Sequence, residues 1–198
     1  MKILYDIDIR RRKQYNEFID KADNVSTPYL STFERTFLFT LFNTLFVYIH
    51  YRIYINTYNY IRRKLAQDFS IEEISHILMP RPEVVECYVK ETDGIVTDVC
   101  SFYHLPSSVI GNPKHSKLNA VYSYYNVATT ISFLDLMRDA LIMARNGGAD
   151  VFNALNVQGN EPIFEPLKFG VGDGNLQYYV YNWKAPEIEP NDIGLVLL

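Results

Sequence analysis

Hydrophobic and polar positions along this chain fall into two regimes. Up to about Thr57 the apolar residues are Ile, Tyr, Phe and Leu in runs without a steady period. Val47 to Tyr60 shows neither a clean 3.6-residue repeat nor a helix cap. From Tyr58 onward the pattern becomes regular. Ser70-Ile-Glu-Glu73 has the form of a capping box, with Ser70 accepting from the third amide and Glu73 reaching back. It opens a short helix that Pro80 closes at Leu78 or Met79. Val84–Lys90 and Ile95–Tyr103 are β-rich runs, and Glu91-Thr-Asp-Gly94 between them signals a hairpin. Leu118–Val127 reads as a further strand, heavy in tyrosine. Ser132 caps the strongest helix, with Phe133, Leu136, Met137, Ala140, Leu141 and Ala144 on one face and Gly147-Gly148 as its stop. Val151–Leu155 is a strand, Ile163–Phe169 a turn of helix or a loop, and Leu176–Trp183 a last strand. This order predicts an α+β fold, a mixed twisted sheet with flanking helices.

The change near Thr57 divides the chain. Residues 1–57 read as a divergent, truncated or mispredicted leader, with no glycine and Pro28 as its one proline, and residues 58–198 as the domain proper. The leader holds one membrane-like stretch, Thr36–Tyr51, uncharged and rich in Phe and Leu. It falls short of the ~20 residues a helix needs to span a bilayer, and it contains Asn43 and His50. The readings set against a span are a buried helix, a segment foreign to the domain, or an interfacial anchor.

Composition narrows the function. A chain of 198 residues, 48% apolar and 21% charged, can bury one sizeable core. A net charge of −4 gives no reason to expect nucleic acid as a partner, and the runs Arg10–Lys13 and Arg62–Lys64 are short enough to be solvated faces. Cys87 and Cys100 sit in separate apolar runs and read as reduced core thiols. His50, His76, His104 and His115 are scattered and form no metal signature, so no metal is expected. Met1–Lys13 lacks the long apolar core of a signal peptide, and a cytoplasmic location is expected.

The candidate chemistry lies near the C-terminal end. Gly170-x-Gly172-x-Gly174 lacks the spacing of a dinucleotide loop and runs into an expected strand rather than a helix, which argues against nucleotide binding. It reads as a tight turn with positive φ angles, or as a pocket floor on which Asp173 offers negative charge to a substrate amine. His104 and Ser107 might evoke a hydrolase, but Leu105-Pro106-Ser107 lacks the glycines of a nucleophile elbow. Tyr103, Tyr122, Tyr124, Tyr125, Tyr178, Tyr179 and Tyr181 fall in expected strands, serving either as packing or as ligand lining. Gly194-Leu-Val-Leu-Leu198 is too apolar for a frayed tail, so it is expected to tuck inward and carry the terminal carboxylate with it.

Several blocks together carry a family resemblance. They are Ser101-Phe-Tyr-His-Leu-Pro-Ser107, Ala120-Val-Tyr-Ser-Tyr-Tyr-Asn126, Asp150-Val-Phe-Asn-Ala-Leu155, Lys168-Phe-Gly-Val-Gly-Asp-Gly-Asn-Leu-Gln-Tyr-Tyr179, Tyr181-Asn-Trp-Lys184 and Gly194-Leu-Val-Leu197, with Leu134, Leu136, Met137, Asp139, Ala140 and Leu141 between them. Roughly Tyr58 to Leu198 resembles the C-terminal half of eukaryotic glycylpeptide N-myristoyltransferase. The resemblance implies a saddle-shaped sheet built of two N-acetyltransferase-like halves, of which this chain holds one. It implies myristoyl-CoA as co-substrate without a further cofactor, and proteins or peptides with an N-terminal glycine as acceptors. Carried over by motif position, Ser107, Tyr122, Asn153, Asp173, Gly174 and Leu176 would line the acceptor groove, and the terminal carboxylate of Leu198 would be the base. Nothing before Tyr58 resembles the family's acyl-CoA half. Two further functions stand beside transfer: a truncated paralogue that binds glycine-led peptides without acylating them, and a membrane-associated structural protein anchored through Thr36–Tyr51.

Overall fold

The computed structural model describes residues 2–8, 63–93 and 95–196. Its centre is a six-stranded mixed sheet with the spatial order β3 (Val85–Thr92), β4 (Ile95–His104), β7 (Ala120–Ser123), β8 (Val151–Leu155), β1 (Lys2–Asp8) and β9 (Gly170–Leu176). Every neighbouring pair runs antiparallel except β7 and β8. A parallel pair cannot be joined by a tight turn, and here the crossover is made by helix α2 (Phe133–Asn146). The α+β class with a mixed sheet follows the sequence pattern.

Local chemistry starts and stops the elements as expected. In α1 (Ile71–Leu78) the Glu73 amide donates to Ser70 Oγ at 3.2 Å, and the Ser70 amide donates to Glu73 Oε2 at 2.8 Å. In α2 the Asp135 amide donates to Ser132 Oγ at 3.1 Å, and Gly148, at φ +83°, ends the helix in a conformation that favours glycine. The β3–β4 hairpin turns at Asp93, with φ +53°.

Strand alternation sorts the side chains onto two faces. On one face Cys100, Phe102, Val121, Phe152 and Ala154 meet Leu136, Met137, Ala140, Leu141 and Ala144 of α2, and most of these side chains have no solvent access. Burying each large one contributes roughly 1.5–3 kcal/mol, so this layer is the main stabilising term. The other face carries Val99, Tyr103, Tyr124 and Tyr125, covered by Phe69, by Ile74 and Leu78 of α1, and by Val196 from the C-terminal segment.

Three segments depart from expectation. Leu118–Val127 is not one strand: it divides into β6 (Lys117–Leu118, paired with β5, Ser107–Ser108) and β7, and beyond β7 it meets β4 through the Tyr124 amide on the Ser101 carbonyl and at the Val99–Val127 bridge. Between them Ser101 and Asn126 replace the ladder. Ser101 Oγ donates to the Tyr125 carbonyl at 2.7 Å and accepts from the Tyr125 amide at 3.0 Å, while Asn126 Oδ1 accepts from the Ser101 amide at 2.9 Å. The glycine segment is a strand rather than a tight turn, and Gly170, Gly172 and Gly174 are not at positive φ. Conversely, Gln177–Trp183 is not a strand; Tyr179, Tyr181 and Trp183 are exposed there, because the sheet ladder ends with β9 at Leu176.

Lys2–Asp8, from the stretch read as a leader, lies between β8 and β9 and supplies one strand of the sheet. The stretch Thr36–Tyr51 lies outside the described residues, among which no helix is long and apolar enough to cross a membrane.

Candidate functional site

Strand register gathers the expected site residues into a row. Tyr103 on β4 is in register with Tyr122 on β7, and Tyr122 with Asn153 on β8. Phe102, Val121 and Phe152 point to the α2 layer, so their neighbours Tyr103, Tyr122 and Asn153 lie on the opposite face. The rings of Tyr103 and Tyr122 stack at 5.3 Å with 15° between planes, and Tyr124 meets Tyr103 edge-on at 5.6 Å. Asn153 is buried, its Nδ2 directed to the Val121 carbonyl at 3.4 Å. The row continues through Asp6 on β1 to Gly170 on β9.

The remaining candidates are spread out rather than packed around a point: Gly174 and Leu176 alternate with the exposed Asp173 along β9, and Ser107 is on the separate β5–β6 ribbon. Leu4 alone stands opposite Gly172-Asp173-Gly174, because the β1–β9 register jumps between Ile3 and Tyr5. From the register, Asp173 lies two strands across and about two residues along from Asn153, on the order of 12 Å away. Leu176 pairs with Lys2, roughly 16 Å from Asn153 by the same reckoning. Asp173 is exposed, and Gly174 and Leu176 are half-buried. Ser107 is exposed on β5, where it pairs with Leu118 just before β7. The arrangement is a track suited to an extended chain, about four residues long at ~3.3 Å each.

Around the row is a cluster of tyrosines that the sequence marked as strand residues, for packing or for ligand lining. Burial pushes the Tyr103 hydroxyl up to about 12, with Tyr122 and Tyr178 adding to it, and burial likewise takes Tyr124 to about 12. Burial also raises Tyr125 and Tyr178. All four hydroxyls therefore stay neutral around pH 7. They can orient groups and exclude water, but they cannot serve as the base.

The cluster also receives the C-terminal segment. After a 3-10 turn (Pro190–Asp192), β10 (Ile193–Gly194) pairs in parallel with β2 (Leu65–Ala66), and Ile193 is buried. The Tyr178 hydroxyl donates to the Leu195 carbonyl at 2.9 Å, and the Val196 amide donates to Tyr125 Oη at 3.5 Å. The tail is thus drawn inward as expected, as far as Val196. Leu198 lies outside the described residues.

The other candidates are placed away from this face. His104 stands 6.0 Å from Phe102 on the α2 side, with Nε2 4.0 Å from Glu86 Oε1, and no nucleophilic pair with Ser107 is formed. Cys87 is pushed up to about 12 by burial and then by Glu86, and burial raises Cys100 well above the ordinary thiol value, so both stay as thiols around pH 7. Among the described residues no cluster of three or more His, Cys, Asp or Glu could hold a metal.

Sequence reasoning missed the roles of Tyr125 and Tyr178 in holding the tail. The one available signal was the density of tyrosine in two blocks far apart in the chain. It also missed Asp98, a charged residue in the middle of an apolar strand that proves fully buried.

Comparison with known proteins places this geometry. Residues 52–196 match the sequence profile of "Myristoyl-CoA:protein N-myristoyltransferase, C-terminal domain". A glycylpeptide N-tetradecanoyltransferase of Drosophila melanogaster is 49% identical over 142 residues, covering 71% of this chain and 30% of the relative. Glycylpeptide N-tetradecanoyltransferase 1 of Arabidopsis thaliana is 52% identical over 137 residues, 68% of this chain and 32% of the relative. A crystal structure of Saccharomyces cerevisiae N-myristoyltransferase with bound myristoyl-CoA superposes with a TM-score of 0.67 at 30% identity, over 75% of this chain and 44% of the yeast chain. This chain spans about a third of the length of the curated relatives it matches.

Proposed function

The chain belongs to the myristoyl-CoA:protein N-myristoyltransferase family, and from that membership we propose that it serves as the acceptor-binding part of a glycylpeptide N-tetradecanoyltransferase. In this reading the substrate is a peptide with a free N-terminal glycine, laid along the track of Ser107, Tyr122, Asn153, Asp173, Gly174 and Leu176. Asp173 offers its charge to a cationic group of the acceptor. The carboxylate of Leu198 takes the proton of the glycine ammonium. Myristoyl-CoA is the co-substrate, held by sequence outside residues 58–198.

The chemistry sets a definite demand. The freed glycine nitrogen attacks the thioester carbonyl, a C–N bond forms, the C–S bond breaks, and coenzyme A leaves as a thiolate that is then protonated. An α-ammonium has a pKa near ~8 and a free α-carboxylate near ~3.5, so the proton transfer is uphill by about 6 kcal/mol in water. Desolvation on an apolar face raises the carboxylate's basicity, and fixing the two groups together removes most of the remaining cost. The tyrosine cluster supplies such a face without offering a competing base.

The observation that carries the proposal is the meeting of two features on one face. The Tyr103–Tyr122–Asn153 row lies on the face opposite α2, and the C-terminal segment is bonded to tyrosines that border it. The test measures binding of a Gly-Ser-rich peptide and of its N-acetylated form, and transfer of labelled myristate from myristoyl-CoA. Transfer is measured for the chain alone and with the acyl-CoA half of a relative added. Binding of the free-amine peptide with transfer in the complemented mixture is the expected result. Binding without transfer in either mixture would establish a binding-only module instead, and no preference for the free amine would sink the acceptor reading.

A further inference from the structure

Six consecutive residues near the C-terminal end, Asn191 to Val196, are each tied to residues distant in sequence. The Arg63 guanidinium donates to the Asn191 carbonyl, and Lys64 Nζ pairs with Asp192 Oδ2 at 2.7 Å. The Ile193 carbonyl accepts from the Gln158 amide at 2.9 Å, and Gly194 is in register with Ala66. These four attachments lead the segment onto the sheet. The last two are of another kind. Leu195 and Val196 are held by the side-chain hydroxyls of Tyr178 and Tyr125, at 2.9 Å and 3.5 Å.

The tyrosines are themselves part of the aromatic face. Tyr125 sits 4.6 Å from Tyr124 and 5.4 Å edge-on from Phe69, and Tyr178 bears on the titration of Tyr103, the stacking partner of Tyr122. Ring packing fixes where the Tyr125 hydroxyl can be, and with Tyr178 bonded to the next residue back the two hydroxyls locate the backbone of the tail relative to the tyrosine face. A tail held only by β2 would be fixed no further than Gly194, leaving Leu195 and Val196 free to swing. With Val196 held, the two residues that follow reach at most ~7 Å.

We propose that Tyr125 and Tyr178 are positioning residues that fix the C-terminal segment over the Tyr122–Asn153 row and so deliver the chain's terminal carboxylate to the acceptor amine. The clamp is a statement about the tail. Its catalytic consequence rests on the reading above, in which that carboxylate is the base.

The experiment uses the whole chain labelled with 13C at leucine carboxyl carbons. It follows the terminal carboxylate by NMR titration and the release of Leu198 by a carboxypeptidase. Wild type is compared with Tyr178→Phe, Tyr125→Phe, the double variant, and Tyr181→Phe, an exposed control, with thermal unfolding as the check on global fold. Loss of either hydroxyl should speed release about tenfold, the double variant more, and the control not at all. The wild-type carboxylate should titrate away from the ordinary value of ~3.5, and the double variant should return toward it. Val196→Pro removes the donor from the tail itself and should speed release as Tyr125→Phe does. It keeps the test decisive if a tyrosine variant fails to fold. With the acyl-CoA half of a relative added, the Phe variants should lower kcat and leave peptide KM unchanged. Equal release from wild type and the double variant overturns the clamp, whatever the titration shows. Slow wild-type release with an ordinary titration supports the clamp and overturns the carboxylate as base.

Discussion

Asp98 should be the most consequential single charge in the fold. It is fully buried on β4, where the β3–β4 register slips, and it gathers the chain that leads from β7 into α2. Its Oδ1 accepts from the amides of Thr129 at 2.6 Å and Thr130 at 2.9 Å. Its Oδ2 accepts from the Thr97 hydroxyl at 2.7 Å and from the Thr130 hydroxyl. Burial alone would raise this carboxyl; the Thr130 hydroxyl, the Thr129 and Thr130 amides and the Thr97 hydroxyl outweigh it and hold it below the ordinary range. Asp98→Ala leaves several part-buried donors without their acceptor at once. At roughly 1–3 kcal/mol for each unsatisfied group, with part of the cost relieved by water, we expect a loss of about 3–5 kcal/mol at pH 7. Asp98→Asn keeps one acceptor and should lose about half as much. Because the folded-state value is depressed, the stabilisation is complete above the unfolded value of ~3.9 and is lost as pH falls through the folded value. Urea unfolding of both variants and wild type at pH 7 and at pH 3 measures this directly. Wild type should converge on Asp98→Asn at the acid end. A loss below about 1 kcal/mol for Asp98→Ala at pH 7, or parallel pH profiles for wild type and Asp98→Asn, would refute this role of Asp98.

Other consequences follow from the same structure. Phe152 has no solvent access and sits 5.8 Å from Phe102 and 6.3 Å from Phe169, so Phe152→Ala should cost about 3–5 kcal/mol in urea unfolding. Burial, with Asp135 adding to it and Arg138 and Lys90 opposing, pushes Asp139 up to about 6. Its folded value thus lies above the unfolded ~3.9, so it favours folding most at low pH and costs stability as pH rises through 4 to 6. Asp139→Asn should then gain about 1–2 kcal/mol at pH 7 and little at pH 4, read from the same denaturation series. Tyr122→Ala removes the stack on Tyr103 and should weaken a glycine-led peptide about tenfold by calorimetry, while a change below twofold would remove Tyr122 from the track. Residues appended after Leu198 should abolish acyl transfer in the complemented assay while leaving peptide binding within a few fold.

Much of the fold was legible in one dimension because its signals are local. The Ser70–Glu73 box, the Ser132 cap with its apolar stripe, and the Asp93 turn are each settled within a few residues, and the structure follows them. The errors arose where neighbours distant in sequence decide. Gly170–Gly174 reads as a turn or a pocket floor because glycine is a poor strand former, yet Gly170–Leu176 is a strand that pairs with Lys2–Ile3 and with Tyr5–Asp6 across a slipped register. Gln177–Trp183 reads as a strand because aromatics favour strands, yet β9 has already ended the ladder at Leu176. Leu118–Val127 breaks because Ser101 and Asn126 offer the backbone side-chain partners instead of a ladder.

The candidate site divides in the same way. Residue types and motif blocks determined the family and the expectation that an apolar tail turns inward, since these depend on chemistry carried by short runs of sequence. Only the tertiary structure decided that Tyr122 and Asn153 stand side by side while Asp173 and Leu176 lie further along a track. Strand order and register, which set those distances, are absent from any single segment. It alone decided, too, that two tyrosines 53 residues apart, Tyr125 and Tyr178, hold adjacent residues of the tail. A hydroxyl's partner is fixed by where packing leaves its ring, and that packing exists only once the chain has folded.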